Sequence, residues 1–292
     1  MRRRGMVYLS LLAAVLCLTL IFQNFLDHLA VAGNLSAATV TSGSFRSQDI
    51  SPEIFEQMRE FAEKQGEEAW EVLAVYMIAN RFRMEEPDSF QPQAYGRYRS
   101  VLERWRPEEL RSVEDAYRAV WADAVCMPVR DTGGGTTEVG FEDSWMAARG
   151  SDGERGHEGT DIFCREAGSE EPAESGLYPV VSMTDGYVEK IGWLNLGGYR
   201  IGIRTDSGGY FYYAHLSEYA RDFRAGDRVS AGELLGFMGD TGYGPEGTAG
   251  MFPVHLHLGI YFHAEDGSEI SVNPYPLLCI LDNAGESCKL FK

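Results

Sequence analysis

The chain has 292 residues, 44% of them hydrophobic and 24% charged, and a formal net charge of −18. That is the composition of a globular protein of about two domains. The excess of acid excludes nucleic acid as a partner, because phosphate binding needs a basic surface, and it reads first as a solubilising exterior.

The N-terminal "MRRRG" leads into "MVYLSLLAAVLCLTLIF", Met6 to Phe22, a run without charge. Arginines ahead of such a run mark the end that stays inside a membrane. The run sits near the short limit for a spanning helix, about 17 residues. Residues 1–27 are therefore expected to form a cytoplasmic tip and a transmembrane signal anchor. The protein would be single-pass in the cell membrane, with its C-terminal domain extracellular. The alternative is secretion after signal cleavage near Ala32, since Ala30-Val31-Ala32 has the small-x-small form of a cleavage site. In both cases the rest of the chain is exported, and leaving the three arginines behind makes it more acidic still. Residues 28–50, rich in Ser, Thr, Ala and Gly, read as a flexible stalk.

A helical domain is expected over 51–127. In "SPEIFEQMREFAEKQG" Ser51 is a candidate N-cap, Pro52 takes the first helical position and Gly66 is the stop. "EEAWEVLAVYMIANRFRM" carries Trp70, Leu73, Ala74, Met77 and Ile78 at helical spacing. Two further helices are expected around Tyr95–Trp105 and Pro107–Ala124, with the tryptophans and tyrosines supplying the core. The unit shows no chemistry of its own. It is a candidate surface for a protein partner, a peptide or glycan, or a cover for a site elsewhere. Residues 128–140, "VRDTGGGTTEVG" from Val129, read as a linker.

From 141 to 292 the texture is that of strands. "GYVEKIGWL", "YRIGIRT", "GYFYYAHL", "LLGFMGD" and "VHLHLGIYF" are short β-like runs, separated by turn signals such as Asp185-Gly186 and "GDTGYG". The acidic "REAGSEEPAESG", Arg165 to Gly176, reads as a surface loop placed to shape or cover a nearby groove. Four exported cysteines, Cys126, Cys164, Cys279 and Cys288, allow three disulfide pairings or free thiols. Cys279 with Cys288 would close a C-terminal loop, and Cys126 with Cys164 would tie the domain entry to the histidine segment. No C-x-x-C pair exists, which argues against a thiolate zinc site.

The six histidines decide the functional reading. In a strand, residues i and i+2 share a face, so His255 and His257 project together, opposite Leu256 and Leu258. Burying two imidazoles without partners is costly, so something polar or metallic must face them. "RGHEGTDIF" offers His157 and Asp161, an imidazole and a carboxylate at H-x-x-x-D spacing. "YYAHLS" adds His215. His28 and His263 have no such setting and read as solvated surface residues. If His157, Asp161 and His257 come together, Zn2+ gains three protein ligands and keeps an open position, the catalytic arrangement. Zinc then acidifies a water and polarises a carbonyl, while His215 and His255 take up the water's proton and steady the developing charge.

"HEGTD", "YAHLS" and "HLHLG", in that order, resemble the motifs of the lysostaphin-type (LytM) zinc endopeptidases of bacterial cell walls. The frame is similar too, in "YPVVSMTDGYVEKIGW" and "AGDRVSAGELLGFMGDTG". The resemblance covers about Asp143 to Tyr261, somewhat under half the chain. It implies a mostly antiparallel β domain with a groove floored by sheet, so that the whole chain is α+β: an all-β LytM-type peptidase domain behind a small helical domain and a transmembrane anchor. It implies zinc ligands His157, Asp161 and His257, and catalytic roles for His215 and His255. It implies hydrolysis of peptide bonds in peptidoglycan stem peptides or cross-bridges. The alternative it leaves open is a LytM-fold scaffold or hydrolase activator working through a partner, as in engulfment-type complexes.

Overall fold

The computed structural model of the protein describes residues 2–33, 35–129, 137–149, 155–169 and 173–284. Helix α1 (Arg2–Asp27) contains a 21-residue span, Met6–Leu26, that is long and apolar enough to cross a membrane. It runs into a single π-helical turn, His28–Ala32. A short helix α2 (Gly43–Ser47) and strand β1 (Asp49–Ile50) follow. Helix α3 (Pro52–Gln65) begins where its cap dictates: the Ser51 side chain accepts from the Ile54 amide, and Gly66 closes it in left-handed backbone. Next come α4 (Ala69–Ala79), strand β2 (Arg83–Met84) paired with β1, α5 (Tyr95–Trp105) and α6 (Pro107–Trp121). Trp121, Tyr76 and Tyr117 are wholly buried in this unit, as its aromatic content predicts.

The β part consists of β3 (Thr137–Phe141), β4 (Ala148–Arg149), β5 (Arg155–Gly156), β6 (Thr160–Glu166), β7 (Pro179–Val181), β8 (Gly186–Leu194) and β9 (Gly198–Arg204). It continues through β10 (Tyr210–Tyr219), β11 (Arg228–Val229), β12 (Leu234–Met238), β13 (Leu256–His263), β14 (Glu269–Val272) and a closing helix α7 (Tyr275–Ala284). The main sheet has ten strands. Among the described residues its spine runs β11-β8-β9-β10-β13-β6-β3, with β12 and β14 attached at β10 and β13 and β7 attached to β12. β4 and β5 form a separate hairpin ahead of β6.

The sheet has two unlike faces. Leu256, Leu258, Ile260 and Phe262 of β13 join Ile201 and Ile203 of β9 in one core that is continuous with the helical residues. α6 packs on β13, and the Phe45 ring lies 5.9 Å from that of Phe262. Each such aliphatic or aromatic side chain removed from water contributes about 1.5–3 kcal/mol. The helices thus cover the back of the sheet. His257 and Tyr261 of β13, Arg200 of β9 and Tyr210 and Tyr212 of β10 belong to the opposite face, which is open.

Several sequence expectations are corrected. The stretch 28–50 is packed along much of its length, because Leu35, Val40, Phe45 and Ile50, spaced five apart among small polar residues, all enter the core. Arg46 reinforces this by donating to the Ser271 carbonyl at 2.8 Å and to Glu158 at 2.6 Å. His28 lies against Trp105, ring to ring at 5.1 Å, with its Nδ1 buried. The end of the expected linker, from Thr137, is strand β3 paired with β6, since Thr137 and Val139 alternate inward; residues 130–136 lie outside the described residues. Cys164 is a buried free thiol, pushed up to about 12 by burial, and Cys126 Sγ lies 3.4 Å from the Ser182 carbonyl, so the two are not joined. Cys288 lies outside the described residues. His263 is exposed, as expected.

Candidate metal centre and groove

The open face carries a groove of about 1020 Å³ whose described lining residues run from Arg149 to Glu269 in sequence, and among the described residues none of that lining belongs to the helices or to the stretch from Arg165 to Gly176. At its centre β6 and β13 pair in register, with Asp161 opposite His257. His157 arrives from the turn between β5 and β6. Asp161 Oδ1 lies 3.0 Å from His257 Nδ1 and 3.1 Å from His157 Nε2, and those two nitrogens are 3.0 Å apart. Gly159 makes this approach feasible. A Cβ there would overlap the His257 ring and the Leu258 carbonyl.

Three donors on so small a triangle suit one cation. Ligands held at about 2.0–2.2 Å from a tetrahedral zinc sit roughly 3.3 Å apart, close to the separations seen. Two imidazoles and a carboxylate are zinc's preferred nitrogen and oxygen donors. The second contacts of these residues hold them in place. Ser144 Oγ meets His157 Nδ1 at 2.9 Å, and Arg149 Nη2 donates to Asp161 Oδ2 at 2.6 Å. Burial alone would raise the Asp161 carboxyl, but its hydrogen bonds with His157 and His257 hold it well below the usual carboxylate range. Burial pushes the His257 and His255 imidazoles down.

His215 and His255 stand beside the triangle. Strict alternation along β10 would turn His215 to the back of the sheet, since Tyr212 and Ala214 occupy the groove side. A β-bulge intervenes. The register against β9 shifts between Tyr213 and Leu216, and His215 adopts left-handed backbone at φ 61. Such conformations in residues other than glycine cost about 1–3 kcal/mol and cluster at functional sites. His215 Nδ1 donates to the Thr241 carbonyl at 2.7 Å, and His255 Nδ1 to the Pro253 carbonyl at 2.8 Å. A carbonyl can only accept, so in each neutral ring the lone pair is left on Nε2. The two rings lie 4.8 Å apart, and His255 Nε2 is 3.6 Å from Asp161. Burial, aided by His255, pushes His215 down to about 3, which keeps it a neutral base.

The structure thus brings His157, Asp161, His257, His215 and His255 into one cluster. The pattern of Peptidase family M23 matches residues 155–274. A crystal structure from Ruminococcus gnavus ATCC 29149, provisionally described as a glycyl-glycine endopeptidase LytM, is 42% identical, covering 84% of this chain and 92% of its own at a TM-score of 0.66. The chain belongs to peptidase family M23. Among curated proteins, the L-Ala–D-Glu endopeptidase of Bacillus subtilis (strain 168) is 46% identical over 143 residues, 49% of this chain and 40% of that protein. The glycyl-glycine endopeptidase ALE-1 of Staphylococcus capitis is 40% identical over 67 residues, 22% of this chain and 18% of its own. The chain therefore spans well under two thirds of these curated relatives.

The M23 motifs do not reveal everything the site uses. Arg149 lies on the β4–β5 hairpin, eight residues before His157, and nothing in its surroundings marks it as a partner of Asp161. The bulge at His215 is likewise silent in the sequence. Tyr212 and Tyr210 could have been read from the alternation in "GYFYYAHL", which places them on one face of a strand. Tyr210 stands over Gly202 of the neighbouring strand, where a Cβ would overlap its ring.

Proposed function

We propose that this M23 protein is a zinc endopeptidase that hydrolyses peptidoglycan stem peptides at the bond between an L-alanine and a D-glutamate. The cluster of two potential bases beside three convergent donors supports the chemistry. The identity over 143 residues to the L-Ala–D-Glu endopeptidase, against 67 residues for ALE-1, supports this bond over the glycyl-glycine bond that names ALE-1 and, provisionally, the Ruminococcus gnavus protein. His157, Asp161 and His257 would hold the ion, which supplies Lewis-acid activation of water and of the scissile carbonyl. His215, with its lone pair on Nε2, takes the proton of the attacking water as general base and passes it to the departing amine. His255, its ring turned by the Pro253 carbonyl, steadies the charge that develops beside it. Arg149 keeps Asp161 ionised and oriented. The apolar helix α1 supports a reading in which the protein sits in the cell membrane, with its arginine end inside and the groove outside.

The test uses the full-length protein in detergent, loaded with zinc and incubated with muropeptides of several chemotypes, the products read by mass spectrometry. The expected result is new fragments with D-glutamate at their amine end, absent after chelation. Zinc bound at one equivalent with no peptide released from any chemotype would end the catalytic reading and leave a scaffold.

A further inference from the structure

Arg200 is the unclaimed charge of the groove. It projects from β9 on the open face, between the core-facing Tyr199 and Ile201, and lines the groove. Its Nε and Nη1 are buried and have no hydrogen-bond partner among the described residues. The neighbouring charges are already matched. Asp161 is held by Arg149 and the histidines, Glu158 by Arg46, and Glu269 lies 3.6 Å from both Lys190 and Arg204. Arg155 is exposed, so water serves it. Arg200 shares the groove lining with Tyr210 and Tyr212, and its charge opposes the rise to about 12 that burial gives the Tyr212 hydroxyl.

The sheet fixes how far Arg200 stands from the cluster. β9 pairs with β10, and β10 with β13, where Ala214 faces His257. Arg200 meets β10 at the bulge beside Ala214. Its backbone is therefore two strand spacings of about 4.8 Å each from that of His257. Both side chains stand on the open face, so the Arg200 fork and the cluster line one groove, in which a peptide bound at the cluster would pass beside Arg200. A guanidinium with two donors shut away from water is built for a planar acceptor pair, which a carboxylate provides. A glutamate joined through its amine to alanine keeps one free carboxylate, whichever carboxyl continues the chain.

We infer that Arg200 is a specificity residue: it receives the free carboxylate of the residue on the amine side of the scissile bond, and so selects an acidic over an amidated stem peptide. This rests on the L-Ala–D-Glu reading above. A site built to bind a charged partner by hydrogen bonds discriminates against one that lacks the charge by roughly 10- to 100-fold.

Two substrates that differ only in D-glutamate against its carboxamide test it, with the full-length enzyme, Arg200→Gln and Arg200→Lys. The expected acid-over-amide ratio in kcat/KM is roughly 10 to 100 for the wild type and within about threefold of one for Arg200→Gln, with part of the preference restored in Arg200→Lys. An unchanged ratio in Arg200→Gln, or a wild-type ratio of one, overturns the inference while the bond assignment stands. Calorimetric titration with the amine-side products, one beginning in D-glutamate and one in its amide, gives a second readout. If the wild type cuts neither substrate, the bond assignment fails and this titration judges Arg200 alone. Tighter binding of the acid, lost in Arg200→Gln, retains the carboxylate site, and equal binding of both removes it.

Discussion

The two faces of strand β13 come from the same eight residues and obey different rules. Toward the helices, Leu256, Leu258, Ile260 and Phe262 are buried against apolar neighbours, and any side chain of similar volume would serve. Toward the groove, His257 is held by contacts of 3.0 Å to Asp161 and to His157, and Gly159 is constrained by the ring it must clear. One face is specified by volume, the other by atom-to-atom geometry. Damage should therefore separate cleanly: stability from the back, chemistry from the front.

Substitutions can break or sharpen that separation. The largest effect is expected from His257→Ala, which removes a proposed ligand from the centre. Bound zinc, read by metal analysis after dialysis, should fall to background together with peptide release, and full zinc retention would mean that the ion sits elsewhere. His215→Ala should lower kcat about 10²- to 10⁴-fold, the usual worth of a general base, with zinc still at one equivalent. Loss of the metal in that variant would make His215 a ligand instead. Leu258→Ala, one residue from a proposed ligand but on the other face, should cost about 2–5 kcal/mol of stability in denaturant unfolding, with zinc affinity little changed at temperatures where the variant is folded. If affinity collapses as well, the faces are not independent. Arg149→Ala should weaken zinc by about 10- to 100-fold in competition with a chelator, and its unfolding midpoint should hold once zinc is saturating. The smallest effect is expected far from the groove: Ser51→Ala removes the α3 cap and should cost about 1 kcal/mol, leaving kcat/KM as it was.

The same division explains what the sequence made legible. Periodicity and caps placed α3 to α6 and the strands around the cluster, because a helix or strand is announced by local pattern. The members of the cluster were visible because histidines are rare here and two of them, His255 and His257, fall two apart in an apolar run, with His157 and Asp161 close together in another segment. What stayed hidden is set by neighbours distant in the chain. No local pattern tells that β10 bulges at His215, since the bulge lies in the pairing with a separate strand, β9. Nor does composition tell that Phe45, in a stretch of small polar residues, is wholly buried among Phe82, Tyr117 and Phe262. Arg149 and Arg200 look like any surface arginine until the fold gives one a carboxylate and leaves the other without.

The packing of the stretch after α1 also sets a working radius. A free coil of the 23 residues from 28 to 50 would let its cargo wander over about 25 Å. Here the chain is gathered into the body almost at once, with Leu35, Val40 and Phe45 as successive fastenings. With α1 in a membrane, the groove then keeps a set height above the lipid. Under the proposed endopeptidase reading, only strands of the wall passing through that layer would be cut, and the choice of where to cut would belong to the position of the anchor rather than to diffusion of a tethered blade.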